Sequence, residues 1–137
     1  MIDHPGSVVL VPLLGDQVVL VRQYRWTLGQ TILELPAGTR HPDESPELCA
    51  QRELREETGY RAGRLTPLGS IWPAPGLTNE QMHLFLARDL SADPLPMDAD
   101  EQIENCLVPF SAALEMARNG TFSDAKTIIA LLRAADA

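Results

Sequence analysis

Basic residues are scarce in this chain: 11 lysines and arginines face 19 acids, for a formal net charge of −8. That balance argues against nucleic-acid binding through a basic surface. It also means that any handling of phosphates would need a cation to mediate. Cysteine is almost absent, and Cys49 and Cys106 form neither a disulfide framework nor a metal-binding spacing. No apolar run approaches the ~20 residues of a membrane span, so no membrane association is expected. The N-terminal MIDHPGSVVLVPLLGD lacks a basic segment followed by a cleavage site, and no signal peptide is expected. Internal repeats, low-complexity tracts and linkers are missing as well. What remains is 137 residues of ordinary globular composition, read as one domain over residues 1–137 working in a reducing cytoplasm.

Two β-branched runs flank Gly15-Asp16 in SVVLVPLLGDQVVLVRQYR, the pattern of a hairpin with a two-residue turn. Pro12 inside the first run predicts an edge or bulged strand, because proline cannot donate to a ladder. TILEL reads as another short strand, stopped by Pro36 and Gly38. A helix follows, with Ser45 as N-cap, Pro46 at the first helical position, Glu47 in the first turn and Gly59 just past the end. RLTPLGSIW and QMHLFLARDL are strand-like runs on either side of the turn-rich PAPGLTNE. The second alternates Met82, Leu84 and Leu86 with Gln81, His83 and Phe85, as a half-buried strand would. SADPLPMDADEQ is a polar, proline-rich loop long enough to suggest a function. IENCLVPF is a short strand, and helices are expected near residues 111–118 and 123–135. Mixed strands with three helices make an α/β (α+β) fold, of the α/β/α sandwich kind.

The acidic helix carries the chemistry. Glu53 and Glu57 lie four apart, a spacing at which like charges oppose each other and destabilise an isolated helix. On a wheel of 100° steps Glu53, Glu56 and Glu57 form a stripe beside a face made of Ala50, Leu54 and Thr58. Arg52, four residues before Glu56, can neutralise part of that charge. Two carboxylates so placed suit a hard divalent cation such as Mg²⁺, which takes oxygen ligands and shares its shell with water and substrate phosphates. The Gly-containing turn LPAGT could bring a backbone carbonyl to the same point, and Glu44 a further acid. The pattern also fits a solvated acidic helix face.

Gly38, five residues, Glu44, seven residues, then Arg52-Glu53-Leu54-x-Glu56-Glu57-x-Gly59-Tyr60 resembles the complete Nudix box, G-x5-E-x7-R-E-U-x-E-E-x-G-U, over residues 38–60. A chance match to its seven fixed positions is roughly one in a billion per starting point. Tyr60 stands where an aliphatic residue is usual, a departure that touches packing only. The resemblance implies a hydrolase of nucleoside diphosphates linked to another group, working through two or more Mg²⁺ or Mn²⁺ ions per site, with the box forming loop–helix–loop on a sandwich with a mixed central sheet. By this resemblance Glu53 and Glu57 are the principal metal ligands, Glu56 is a further ligand or a water-bridged partner, and the carbonyl of Ala37 completes one metal. Arg52 orients the glutamates, and Glu44 supports them from behind.

VRQYR, LELPAG, PAPGLTNE and SDAKTIIALL resemble the ADP-ribose pyrophosphatase branch of that family, as does Pro75, sixteen residues past Gly59. The resemblance runs from Ser7 to about Leu132 and implies hydrolysis of ADP-ribose to AMP and ribose 5-phosphate. It places Arg25 on the substrate diphosphate and Glu80 near the terminal ribose; read alone, each is an exposed polar residue. Trp26 and Trp72 either border a base or ribose pocket or simply pack. The general base implied by the resemblance comes from the acidic loop, with Glu101 first, Asp100 and Glu104 next, and Glu53 as the alternative within the box. Cys49 reads as a small buried filler, and His4, His41 and His83 show no ligand spacing. Relatives of this branch carry a longer N-terminal stretch used for adenine binding and dimer formation; a homodimer is nevertheless expected. Two other readings stay open. One is a different nucleotide sugar, such as GDP-mannose, or a dinucleotide as substrate. The other is a Nudix-fold sensor that binds without turnover.

Overall fold

The computed structural model describes residues 3–98 and 102–137. Its sheet is organised around β1 (Ser7–Leu14), which pairs antiparallel with β2 (Gln17–Arg25) and β4 (Ala37–Thr39), and parallel with β6 (Met82–Ala92). β3 (Gln30–Glu34) and β7 (Ile103–Pro109) both join β2, and β5 (Tyr60–Ile71) closes the far side against β6. The sheet is therefore mixed, in the order β3-β2-β1-β6-β5 with β4 and β7 branching from β1 and β2.

Strand alternation decides which helix covers which face. Val8 and Leu10 of β1, with Phe85 and Ala87 of β6, pack against Cys49, Ala50 and Leu54 of α1 (Pro46–Thr58). Val9, Val11, Leu84 and Leu86 point the other way, into Ala113 and Ala117 of α2 (Phe110–Arg118) and Ala130, Leu131 and Ala134 of α3 (Ala125–Ala135). This is the expected α/β/α sandwich. Two sequence expectations need correction. β6 is not half-buried, since Leu84, Phe85, Leu86 and Ala87 are all inaccessible beneath helices on both faces. Nor is β1 an edge strand, despite Pro12. Its ladder with β4 stops at Val9 and that with β2 starts at Leu13, so Pro12 sits in a gap on that side where no amide is required. The Leu10 amide fills the gap by donating to the Pro36 carbonyl at 2.9 Å.

The caps of α1 match the sequence signals. The Ser45 hydroxyl accepts from the Leu48 amide, and Gly59 takes a left-handed φ of 81° while its amide donates to the Arg55 carbonyl. α3, expected near residues 123–135, begins at Ala125, because Asp124 caps it by receiving the Thr127 amide. The buried Thr127 hydroxyl donates to Asp124 and accepts from the Leu35 amide at 3.0 Å. One hydroxyl thus pins the start of α3 to the end of β3. Thr127→Val keeps the shape but strands the Leu35 amide, and it should cost about 1–3 kcal/mol. A urea midpoint equal to the parent's, at unchanged slope, would show that the bond contributes nothing.

Candidate active site

The loop–helix–loop of residues 38–60 brings the first turn of β4 against the middle of α1. Glu53 and Glu57 face inward there, at 8% and 6% exposure. Burial and the neighbouring charge of Glu56 push the Glu53 carboxyl up to about 7, against the opposing pull of Arg52. Glu57 also accepts from the Ala37 amide at 3.3 Å. Gly38 makes this approach feasible. A Cβ at that position would fall 2.0–2.3 Å from the carboxyl atoms of Glu53 and would force that carboxylate out of its place.

Arg52 is the hub behind the pair. Its Nε and Nη2 donate to the two oxygens of Glu44 at 2.7 and 2.9 Å, and Nη1 donates to Glu53 at 2.8 Å and more weakly to Glu56 at 3.2 Å. Nη2 also reaches the Thr39 carbonyl at 3.0 Å. These bonds hold the guanidinium above its ordinary range and hold Glu44 down at about 2, the latter helped by the His41 amide. Cys49 lies under the hub. Burial and nearby carboxylates push its thiol up to about 12, which makes it packing rather than a nucleophile.

A cleft of about 490 Å³ opens over this carboxylate wall. Two cations, each paired with an acid, line the same cleft. Arg25, at the end of β2, makes a two-point bond to Glu34, with both contacts at 2.8 Å, and Lys126 reaches the same carboxylate at 2.7 Å. The Glu34 bond raises the Arg25 pKa despite partial burial. Glu80 lines the cleft too, with Oε2 accepting from the Ser7 hydroxyl at 2.8 Å and lying 3.8 Å from His4 Nε2.

Of the residues singled out in the sequence, Arg25, Ala37, Arg52, Glu53, Glu57 and Glu80 therefore meet in one cleft. Glu56 sits behind it, bonded to Arg52. Glu104 is exposed on β7 and lines a separate groove with Arg22, Tyr24 and Gln102. Glu101 and Asp100 lie outside the described residues, but Asp98 of the same loop lines the cleft. Neither tryptophan is buried: Trp26 is 87% exposed and meets the Tyr24 ring edge-on with centres 4.8 Å apart, and Trp72 is 64% exposed. Sequence reasoning missed Glu34 and Lys126. The available signal was a glutamate between Leu33 and Leu35 in an apolar strand, a position tolerable only with a cation at hand.

Among the described residues no three carboxylate, imidazole or thiol groups converge on one point. The buried Glu53–Glu57 pair nevertheless fits a divalent cation, which would complete its shell from backbone, water and substrate. A sandwich that carries a carboxylate pair on loop–helix–loop, with Arg25 and Lys126 in the same cleft, has the parts that a hydrolase of diphosphates needs. The chain matches the NUDIX domain over residues 3–131 and belongs to the Nudix hydrolase family, in its ADP-ribose pyrophosphatase-like branch. It is 37% identical to the ADP-ribose pyrophosphatase of Bacillus subtilis over 134 residues, covering 96% of this chain and 72% of that protein. It is 39% identical to the GDP-mannose pyrophosphatase of Salmonella arizonae over 135 residues, covering 92% of this chain and 70% of the relative. A crystal structure of an ADP compounds hydrolase superposes with a TM-score of 0.88 at 28% identity, over 96% of this chain and 71% of its own.

The depressed pKa of Glu44 fixes the sign of a pH effect. Its folded value, about 2, lies below the ordinary 4.5, so its bond to Arg52 stabilises the fold fully above about pH 4.5 and ceases to do so as pH falls through 2. Glu44→Gln should therefore be less stable than the parent by about 1–3 kcal/mol at pH 7. The gap should close towards pH 2, and unfolding curves with a pH-independent gap would contradict this assignment.

Proposed function

We propose that the protein hydrolyses the diphosphate of ADP-ribose to AMP and ribose 5-phosphate, using Mg²⁺ or Mn²⁺. The observation that carries this reading is the cleft itself: a buried carboxylate pair suited to a cation stands opposite Arg25 and Lys126, which are suited to phosphate oxygens. Glu53 and Glu57 hold the metal, with the Ala37 carbonyl and Glu56, directly or through water, completing a site for two or more ions. Bound divalent cations neutralise the diphosphate, lower the pKa of a coordinated water and stabilise transition-state charge. Arg52 keeps Glu53 turned towards the cleft, since the bond at 2.8 Å fixes its rotamer. Arg25 binds the diphosphate. Glu80 spends Oε2 on Ser7 and turns Oε1 to a sugar hydroxyl. Glu101 removes the proton of the attacking water.

ADP-ribose is chosen from the Bacillus subtilis relative and from the segments VRQYR, LELPAG, PAPGLTNE and SDAKTIIALL. GDP-mannose is the second reading, favoured by the Salmonella relative of comparable identity. A turnover panel at fixed Mg²⁺, with and without chelator, separates them when the products are resolved by chromatography. We expect chelator-sensitive release of AMP from ADP-ribose at a kcat/KM at least tenfold above that for GDP-mannose. The reverse order would retain the chemistry and replace the substrate.

Glu53→Gln should abolish turnover while nucleotide binding, followed by calorimetry, stays within a few-fold. Glu101→Gln should lower kcat about 100- to 10,000-fold at constant KM. An unchanged kcat in the second variant would move the base to Glu53 or Asp98.

A further inference from the structure

We propose that Trp26 and Tyr24 form a stacking subsite for the purine base of the substrate, in a groove that adjoins the catalytic cleft beyond Arg25. The inference rests on the nucleoside-diphosphate reading above and extends it to the nucleoside end of the substrate.

A lone exposed ring on a protein surface needs no explanation. Two rings held together on a rigid turn are a different matter. Trp26 is 87% exposed, the most of any large apolar side chain among the described residues, and Tyr24 is 39% exposed. The turn between β2 and β3 that carries Trp26 is closed by the Arg25 carbonyl, which accepts from the Leu28 amide at 3.0 Å and the Gly29 amide at 2.9 Å. Gly29 takes a left-handed φ of 64° as the chain enters β3. Tyr24 is fixed by its place in the ladder, opposite Thr31. The two rings meet edge to face, with centres 4.8 Å apart and planes at 75°. Such a pair uses one face of one ring and one edge of the other, so further aromatic faces are left for a third planar group.

The groove beside the pair has a volume of about 750 Å³. Gln23 and Arg25 line both this groove and the catalytic cleft, so the two adjoin. Ser7 and Glu80 line the cleft and not the groove. A substrate with its sugar at Glu80 and its diphosphate at Arg25 thus sends its nucleoside past Gln23 towards Trp26. The order Glu80, Arg25, Trp26 matches the order sugar, diphosphate, base.

The lining suits a base as well. Gln23 and Gln102 each bring an amide with donor and acceptor, the groups a purine's polar edge requires. No acid lines the groove among the described residues. A second copy of the chain is the rival occupant of the exposed rings. The amide and hydroxyl lining and the junction with Arg25 favour the nucleotide.

Tryptophan fluorescence reads this site directly, because the chain has two tryptophans. Trp72→Phe leaves Trp26 as the sole reporter, and Trp26→Phe leaves Trp72. AMP, GMP, ribose 5-phosphate and inorganic pyrophosphate are titrated into both proteins with Mg²⁺. AMP or GMP should quench Trp26 saturably, the other two ligands should not, and Trp72 should respond to none. In turnover of the substrate that the panel selects, Trp26→Ala should raise KM roughly 10- to 100-fold with kcat changed less than threefold. Trp26→Phe keeps a π face and should restore most of the loss. An unchanged KM in Trp26→Ala would overturn the subsite, and so would a nucleotide response carried by Trp72 alone. Weaker binding in Trp26→Ala that accompanies a change of mass in light scattering would also overturn it, since the rings would then join two copies. If the parent turns over no nucleoside diphosphate derivative yet AMP or GMP quenches Trp26, the subsite stands and the proposed function falls. Turnover with no response at Trp26 retains the function and removes the subsite.

Discussion

Arg52 is the constraint on which the carboxylate wall depends. A single guanidinium gathers Glu44, Glu53, Glu56 and the Thr39 carbonyl, and so ties the loop before α1, the helix itself and β4 into one rigid body. Without it, three acids would repel one another across a few ångströms of poorly screened protein. With it, Glu44 and Glu56 are held by the same guanidinium that bonds Glu53, and the acids of the helix are gathered about one cation. Gly38 completes the arrangement by leaving open the volume that the Glu53 carboxylate occupies.

How much of this was legible beforehand varied with the range of the interaction. The α1 caps, the Gly15-Asp16 turn and the box positions are local, set by residues a few places apart, and the structure places them where the sequence signals did. The burial of β6 on both faces was missed because alternation is diagnostic only when one face meets water. Phe85 and Ala87 lie under α1 while Leu84 and Leu86 lie under α3, and no short window of sequence shows that. Pro12 misled for a related reason. A proline rules out a donor at one position, and a central strand can spare that donor where two partner strands meet end to end.

The cluster of Arg25, Glu34 and Lys126 was the least legible part. Arg25 was visible as the end of a strand, but its partner is nine residues away and Lys126 is 92 residues from Glu34. The Thr127 hydroxyl explains how such distant residues are brought into register. It bonds to Asp124 within its own helix and to the Leu35 amide beside Glu34, so α3 docks with its first turn at the cleft. A side chain that touches no substrate in this way determines where a charged one stands.

That docking has a consequence for the order in which the protein becomes competent. The carboxylate wall draws on β4 and α1, whereas the opposite wall is closed by α3, the final helix of the described fold. A growing chain would expose a finished acidic helix long before the lysine facing it had been made. Arg25 precedes the acidic helix in the chain and Lys126 follows it, so the cleft draws on segments from both sides of α1, and its lining is whole only once α3 has docked on the sheet.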